Sequence, residues 1–539
     1  MTEQSGWIPT RTGALWSGLH QPDGVASGRA VVIVPPFGWE GMSAGRQLRG
    51  WARRLADAGH VAVRYQPPGE GDSEGASLDQ DLTSWSSALV EVAGHVGALD
   101  GVRNVTLLAI GLGVPVALAA IAAGAGADEL VLWAGQGRGR PMLRELRAFA
   151  AMTNAADVDP DGALWVTGHP LSAQAQEQLS AFDATTLDLS SLSRALLLGR
   201  GSLPTDGKLA EALEAQVVAV VREPGPGYDE LTVEPRLSQA PEHVIERVAQ
   251  WLGPATGTTK LTQAWPPAEF AERAIEVGPA RAVFRRASEP RATAVFLSAG
   301  AVSRSGPNRL WTEAARRWSE LGVSSVRVDL AGIGEAEGSD AWQRGPEGFY
   351  DPAHADQITA VLDGLEPGPV LLVGLCSGGY WAAQMALRDD RVRAAALLNT
   401  YSLVWPPPLA DLGARGRLRH LTRWQTWQPL MHEKAARADA WGRVRRTLGR
   451  PTSDGAPATT IAVLEALDAR DVAVLVALSP GETALPDVLS LPSSPNRTVL
   501  PFTGPEDAHT LSPPVLRRQA EQALDAAMAL LSVDQLVQG

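Results

Sequence analysis

In the stretch VLLVGLCSGGYWAAQ, residues 370–384, a thiol and a hydroxyl stand side by side at Cys376 and Ser377. An apolar run ends there and a helix-forming segment begins, so either group would sit on a sharp strand-to-helix turn, where nucleophiles of covalent catalysis are found. A nucleophile at such a turn needs very small residues two positions before and two after it, because the chain reverses tightly. Cys376 has Gly374 and Gly378 in those places. Ser377 would have Leu375 and Gly379, and the leucine would crowd the turn. The spacing favours Cys376, with a serine esterase through Ser377 as the alternative and a buried, inert thiol as the reading without chemistry. In the favoured register the Ser377 amide is half of an oxyanion hole.

A thiol nucleophile needs a base and a group to orient that base. His509, in TVLPFTGPEDAHTLS, follows the last expected strand and precedes the final helix PPVLRRQAEQALDAAMALL, and Glu482 stands in the turn after VAVLVALS. Asp487, Glu506 and Asp507 compete for the acid role. The second oxyanion donor is expected from SAGAVSRSGPNR, at the Ala301 amide, with Gly300 permitting close approach. Arg304, Asn308 and Arg309 follow on the same loop as candidates for substrate binding. Such a site suits acyl thioesters or activated esters better than amides, with water, a hydroxyl or an amine as acceptor.

The elements that must position these groups occur twice. ARRLADAGHVAVRYQPPGEGDSEG (52–75) matches ARRWSELGVSSVRVDLAGIGEAEG (315–338) without a gap, pairing Gly69 with Gly332, Gly71 with Gly334 and Gly75 with Gly338. RAVVIVPPFG likewise corresponds to ATAVFLSAGA, and NVTLLAIGLGVPVALAA to PVLLVGLCSGGYWAAQM. This is duplication of a whole domain of alternating strands and helices, with apolar strands that imply a mostly parallel sheet covered on both faces. Residues 1–254 form the first copy, the Pro/Gly/Thr-rich 255–267 the linker, and 268–539 the second copy. In the first copy Gly111 stands in the place of Cys376 and Pro235 in that of His509, so it is expected to be inactive. His243 falls on its last helix, as a surface residue. Arg46 matches Arg309, which makes a shared structural role as good a reading of Arg309 as substrate binding.

Between the strand VRAAALLN and the strand VAVLVALS, at about 401–470, lies an insert rich in Pro, Trp and Arg that reads as a lid. Nine arginines and Lys434 face only Glu433 and Asp439 between 415 and 450, interleaved with tryptophans. Trp405, Trp424 and Trp427 are candidates for an apolar acyl site with a basic rim. The basic side chains either form a solvated face or dock an acidic carrier protein that delivers the acyl substrate. The whole chain has a net charge of −13, which argues against nucleic acid as a partner. Its single cysteine excludes an internal disulfide and a cysteine-based zinc cluster, and no cofactor or metal motif is present. Its start, MTEQSGWIPT, has neither a basic region nor an apolar core, and apolar stretches are broken by Gly and Pro, so a cytoplasmic protein without a membrane partner is expected.

The second half resembles the α/β-hydrolases associated with the exosortase system, through AGAVSRSGPNRL, GIGEAEG, GLCSGG, LLN, LSPGETA and DAHTLS in order across residues 290–515. The first half is similar to a sister group through VPPFGWE, PGEGDSEG and GHPLS. The resemblance implies two tandem α/β-hydrolase domains and a Cys-acid-His triad in the second. Glu482 departs from it, standing where that pattern has Asp, and so does Glu335, read as a structural turn residue. The reading that competes with an enzyme is a double pseudo-hydrolase that binds or scaffolds.

Overall fold

The computed structural model describes residues 1–24, 26–153, 161–201, 206–254, 265, 270–338, 346–400, 402–406, 459–482, 484, 488–505 and 509–531. Among the described residues ten strands lie in the first copy: β1 Thr2–Thr10, β2 Gly13–Gln21, β3 Arg29–Val34, β4 Val61–Tyr65, β5 Asn104–Ile110, β6 Glu129–Trp133, β7 Leu164–Val166, β8 His169–Leu171, β9 Arg194–Arg200 and β10 Ala219–Gly225. The second adds β11 Glu272–Val277, β12 Ala280–Arg285, β13 Ala292–Leu297, β14 Val323–Asp329, β15 Val370–Leu375, β16 Val392–Leu398, β17 Ala473–Leu478 and β18 Arg497–Pro501.

Two eight-stranded sheets follow the same order, β1-β2-β4-β3-β5-β6-β9-β10 and β11-β12-β14-β13-β15-β16-β17-β18. An antiparallel pair opens each, and the strands from β4 and from β14 onward run parallel. Alternation along a strand feeds both faces. In β3, Val32 and Val34 join one core cluster and Val31 and Ile33 another. In β15, Leu372 joins one while Leu371 and Val373 join the other. The continuous apolar runs are thus explained by helices on both sides of each sheet.

Charges alone among these apolar strands mark where the copies meet. The pairing of residue 52 with 315 also places Arg64 on Arg327 and Asp72 on Glu335. Arg64 grips Glu335 with two bonds of 3.0 and 2.8 Å, and Arg327 reaches Asp72 at 3.0 Å. Arg46 donates to the carbonyls of Ala336 and Gly338, and Arg309 to those of Gly71, Ser73 and Gly75. Each copy therefore inserts the same arginines into the other's glycine-rich loop, a pseudo-twofold contact. Glu335, expected as a turn residue, stands in that turn and also pairs with the opposite copy. Burial alone would raise its pKa, but the charge of Arg64, its hydrogen bonds and Arg49 hold it far below the usual carboxylate range.

The expected lid is shortened at one end. Helix Thr460–Ala469 is capped by Thr459 and buries Val463, Leu464 and Leu467 in the main core. Trp424, Trp427 and the basic stretch 415–450 lie outside the described residues, as do Asp487, Glu506 and Asp507.

Candidate active site

The turn after β15 has the geometry its glycines imply. Cys376 has φ 55° and ψ −117° at the head of helix Ser377–Ala386, a left-handed value that costs a side-chain-bearing residue about 1–3 kcal/mol. A Cβ on Gly374 would meet the Gly378 carbonyl carbon at 2.1 Å, and one on Gly378 would meet the Leu297 oxygen at 2.5 Å. A Cβ on Gly379 would likewise lie 2.0 Å from the Thr400 hydroxyl. The thiol is partly buried, packed against the core beside β15.

The structure brings His509 and Glu482 to this thiol. His509 Nδ1 lies 2.6 Å from Glu482 Oε1, and the glutamate side chain is 10% exposed. Burial alone would lower the imidazole pKa, but Cys376, acting by charge and by hydrogen bond, and then Glu482 hold it well above its ordinary value. The stability linked to this shift is therefore fully present below the ordinary histidine pKa of about 6.5 and is lost as pH rises through the folded value. Capping Cys376 with iodoacetamide is expected to move the His509 titration downward, read by NMR of the ring. A titration unchanged by capping would mean that the two side chains are not paired.

Sequence reasoning missed the residue that ties these loops together. Asn399, fully buried at the end of β16, accepts from the Ser479 amide at 2.7 Å and donates to the His509 carbonyl at 2.9 Å. One side chain thus joins the glutamate turn to the histidine loop. Its signal was the amide residue closing the apolar run AAALLN.

The serine has a task besides its backbone. Ser377 Oγ accepts from the Gly300 amide at 2.9 Å, tying the loop after β13 to the elbow helix. Ser377 opens that helix, where an amide has no intrahelical acceptor, and Ala301 follows Gly300 on the tethered loop.

The other loop candidates are engaged elsewhere. Arg304 is buried between Asp72 and Asp329, each at 2.9 Å. Arg309 donates to the first copy's carbonyls, and Asn308 packs against Gly168 at the tip of the β7–β8 hairpin. These three side chains build the contact between copies, which explains the match of Arg309 to Arg46. Trp405 stacks on Tyr350 with ring centroids 3.8 Å apart, and Tyr350 meets Tyr380 edge-on at 5.0 Å. Because the Tyr380 amide bonds the Cys376 carbonyl, this aromatic cluster stands one helical turn from the thiol.

In the first copy Gly111 keeps the elbow conformation, with φ 53°. A Cβ there would lie 2.0 Å from the Tyr228 hydroxyl, which is itself bound to Glu40 at 2.7 Å. Tyr228 therefore fills the space of a nucleophile. Gly111→Ala is expected to destabilise the fold by about 2–4 kcal/mol, combining overpacking with left-handed backbone strain. Adding Tyr228→Phe should recover part of that loss in chemical denaturation. His243 is exposed on helix Glu242–Leu252, with Nε2 3.1 Å from the Pro226 carbonyl.

Among the described residues no group of three or more His, Cys, Asp or Glu is placed to hold a metal, and no helix is long and apolar enough to cross a membrane.

Residues 306–429 match the family described as the alpha/beta hydrolase fold. None of the curated proteins compared matches the chain. Among solved structures, Est1E from Butyrivibrio proteoclasticus with ferulic acid bound is 17% identical, with 46% of this chain and 97% of that one covered and a TM-score of 0.34. A thermostable carboxyl esterase from Bacillus coagulans is 12% identical, covering 47% and 98%, with a TM-score of 0.33. The alpha/beta hydrolase domain-containing protein 10 from mouse is 16% identical, covering 49% and 100%, with a TM-score of 0.30. The repeated strand order, the elbow after β15 and the family match over residues 306–429 make this chain a tandem protein of the α/β-hydrolase fold.

Proposed function

We propose that the second copy is a cysteine-dependent acyl hydrolase or acyltransferase, with Cys376 as nucleophile, His509 as base and Glu482 as the group that orients it. The observation that carries this reading is a left-handed Cys376 at a helix head beside a His509 ring whose Nδ1 is held by Glu482 at 2.6 Å. In the reaction, the Cys376 sulfur attacks the acyl carbonyl of a thioester or activated ester. The His509 imidazole takes the thiol proton and passes it to the leaving group. The Ser377 and Ala301 amides are assigned to the oxyanion. The resulting acyl-thioester is released when water, a hydroxyl or an amine attacks it, with His509 as base. The aromatic cluster of Tyr350, Tyr380 and Trp405 supports an apolar acyl group.

The first copy is assigned a buttressing role, because Tyr228 fills its elbow while its arginines hold the second copy's loop. Delivery of the acyl group on an acidic carrier rests on the charge of residues 415–450 alone. Turnover of short acyl thioesters, aryl esters and anilides, with and without added amines, tests the reading. Hydrolysis or transfer of thioesters well above anilides is expected. No turnover of any of them, with the thiol intact, would favour the binding-protein alternative.

A further inference from the structure

Between the copies lies a cavity of about 120 Å³, bounded by the loops after β3 and β4 of the first copy and by Ala301–Gly306 of the second. That volume holds roughly ten non-hydrogen atoms, taking about 10–15 Å³ for each. Four of its lining residues each carry a buried polar atom with no hydrogen-bond partner: the Trp16 indole nitrogen, the Ser43 hydroxyl, the Tyr65 hydroxyl and His169 Nε2. Fourteen such atoms occur among the described residues, so four around one cavity form a cluster. A buried polar atom left unpaired costs about 1–3 kcal/mol, and the three N–H and O–H groups of Trp16, Ser43 and Tyr65 together call for an occupant with acceptor oxygens.

The charges in the wall narrow the choice. Arg309, 4% exposed, donates to carbonyls and to Ser77, and among the described residues it forms no ion pair. Burial, with Arg316 and Arg517 nearby, brings its pKa down to about 10 against the opposing charges of Glu313 and Glu70, so it remains a cation. Across the cavity, burial pushes the Glu70 carboxyl up to about 7 despite Arg309, so it takes up a proton readily. His169 is held neutral, its pKa brought down to about 3 by burial and by Arg517 and Arg309. Glu335, also in the wall, is neutralised by Arg64. Ile33, Met42, Leu48 and Pro67 make the remainder apolar.

We infer that this cavity is a second ligand site, distinct from the Cys376 site, for a small carboxylic acid with a short apolar body. Its carboxylate faces Arg309 and accepts from the unpartnered donors of Trp16, Ser43 and Tyr65, while its carbon chain lies against the apolar wall.

Hexanoate is a probe of suitable size, with hexanamide as its uncharged counterpart. Both are titrated into the full chain with Cys376 carbamidomethylated, so that binding is read apart from any acyl chemistry and independently of the proposed function. Calorimetry should give a single site for hexanoate at roughly millimolar concentration or below, with hexanamide at least about tenfold weaker. The Trp16 indole N–H resonance, assigned by Trp16→Phe, should shift on binding. Tyr65→Phe removes a hydroxyl that has no partner, so the fold should keep its stability while hexanoate binding weakens about fivefold to tenfold. No saturable binding, binding that Tyr65→Phe leaves unchanged, or equal affinity for the amide would each overturn the inference, water then being the occupant in the first case.

Discussion

Cys376→Ala should abolish turnover, by about four orders of magnitude or more, while leaving the fold intact, because the residue that begins the covalent step is gone and alanine fits its partly buried place. His509→Ala should cost about three to four orders, since the imidazole moves the proton in both half-reactions. Glu482→Ala should cost about two, as it holds the ring by one hydrogen bond of 2.6 Å while the buried Asn399 fixes the histidine loop independently. Ser377→Ala leaves its own amide in place but removes the acceptor for the Gly300 amide, so about a tenfold loss is expected from a looser oxyanion loop. The graded order, measured as kcat/KM on one acyl thioester, distinguishes a cysteine nucleophile from a serine one. A Ser377→Ala loss equal to that of Cys376→Ala would reverse the register.

Asp72→Ala, a change in the copy without a nucleophile, should destabilise the chain by about 3–5 kcal/mol and reduce turnover in the other copy. The Asp72 carboxylate is 1% exposed and neutralises two buried arginines of the second copy, Arg304 at 2.9 Å and Arg327 at 3.0 Å. Removing one member of a buried charge network leaves its partners charged and without water, which is where the large cost arises. Arg304 stands on the same loop as Ala301, so its displacement reaches the assigned oxyanion donor. Glu223→Ala is the control, since its pair with Arg247 is half-buried at the first copy's edge, where such pairs contribute about 0–1 kcal/mol. Denaturant unfolding of both variants checks this. An Asp72→Ala cost no larger than that of Glu223→Ala would remove the buttressing argument.

The elbow was legible in the sequence because its constraint is local. The chain closes on itself within five residues, and the glycines needed for that closure lie on either side of Cys376. The duplicated sheet was legible for a similar reason, through apolar runs at matching spacing. The contact between copies was harder to read, since an arginine inside an apolar strand states only that a counter-charge exists. Arg64 in VAVRY and Arg327 in VSSVRVD occupy equivalent positions, and that pairing was the available signal for a symmetrical interface. Tyr228 was missed because it opens the short helix Tyr228–Leu231 after β10, in the segment between last strand and final helix that holds His509 in the second copy, and nothing in its residue type signals that it fills the Gly111 elbow. The helix Thr460–Ala469 was hidden by the composition of the insert before it, although Thr459 as cap and Val463, Leu464 and Leu467 on one face carry a helical pattern.

The most direct test of the central claim is intact-mass and peptide-mapping analysis of the wild-type and His509→Ala proteins after prolonged exposure to excess acyl thioester, since an acyl-enzyme that forms slowly but is released as slowly accumulates in the variant. The account predicts one added acyl group on the peptide containing Cys376, removed by hydroxylamine and absent when Cys376→Ala is introduced. An acyl group on Ser377, or labelling that survives the loss of Cys376, would contradict it.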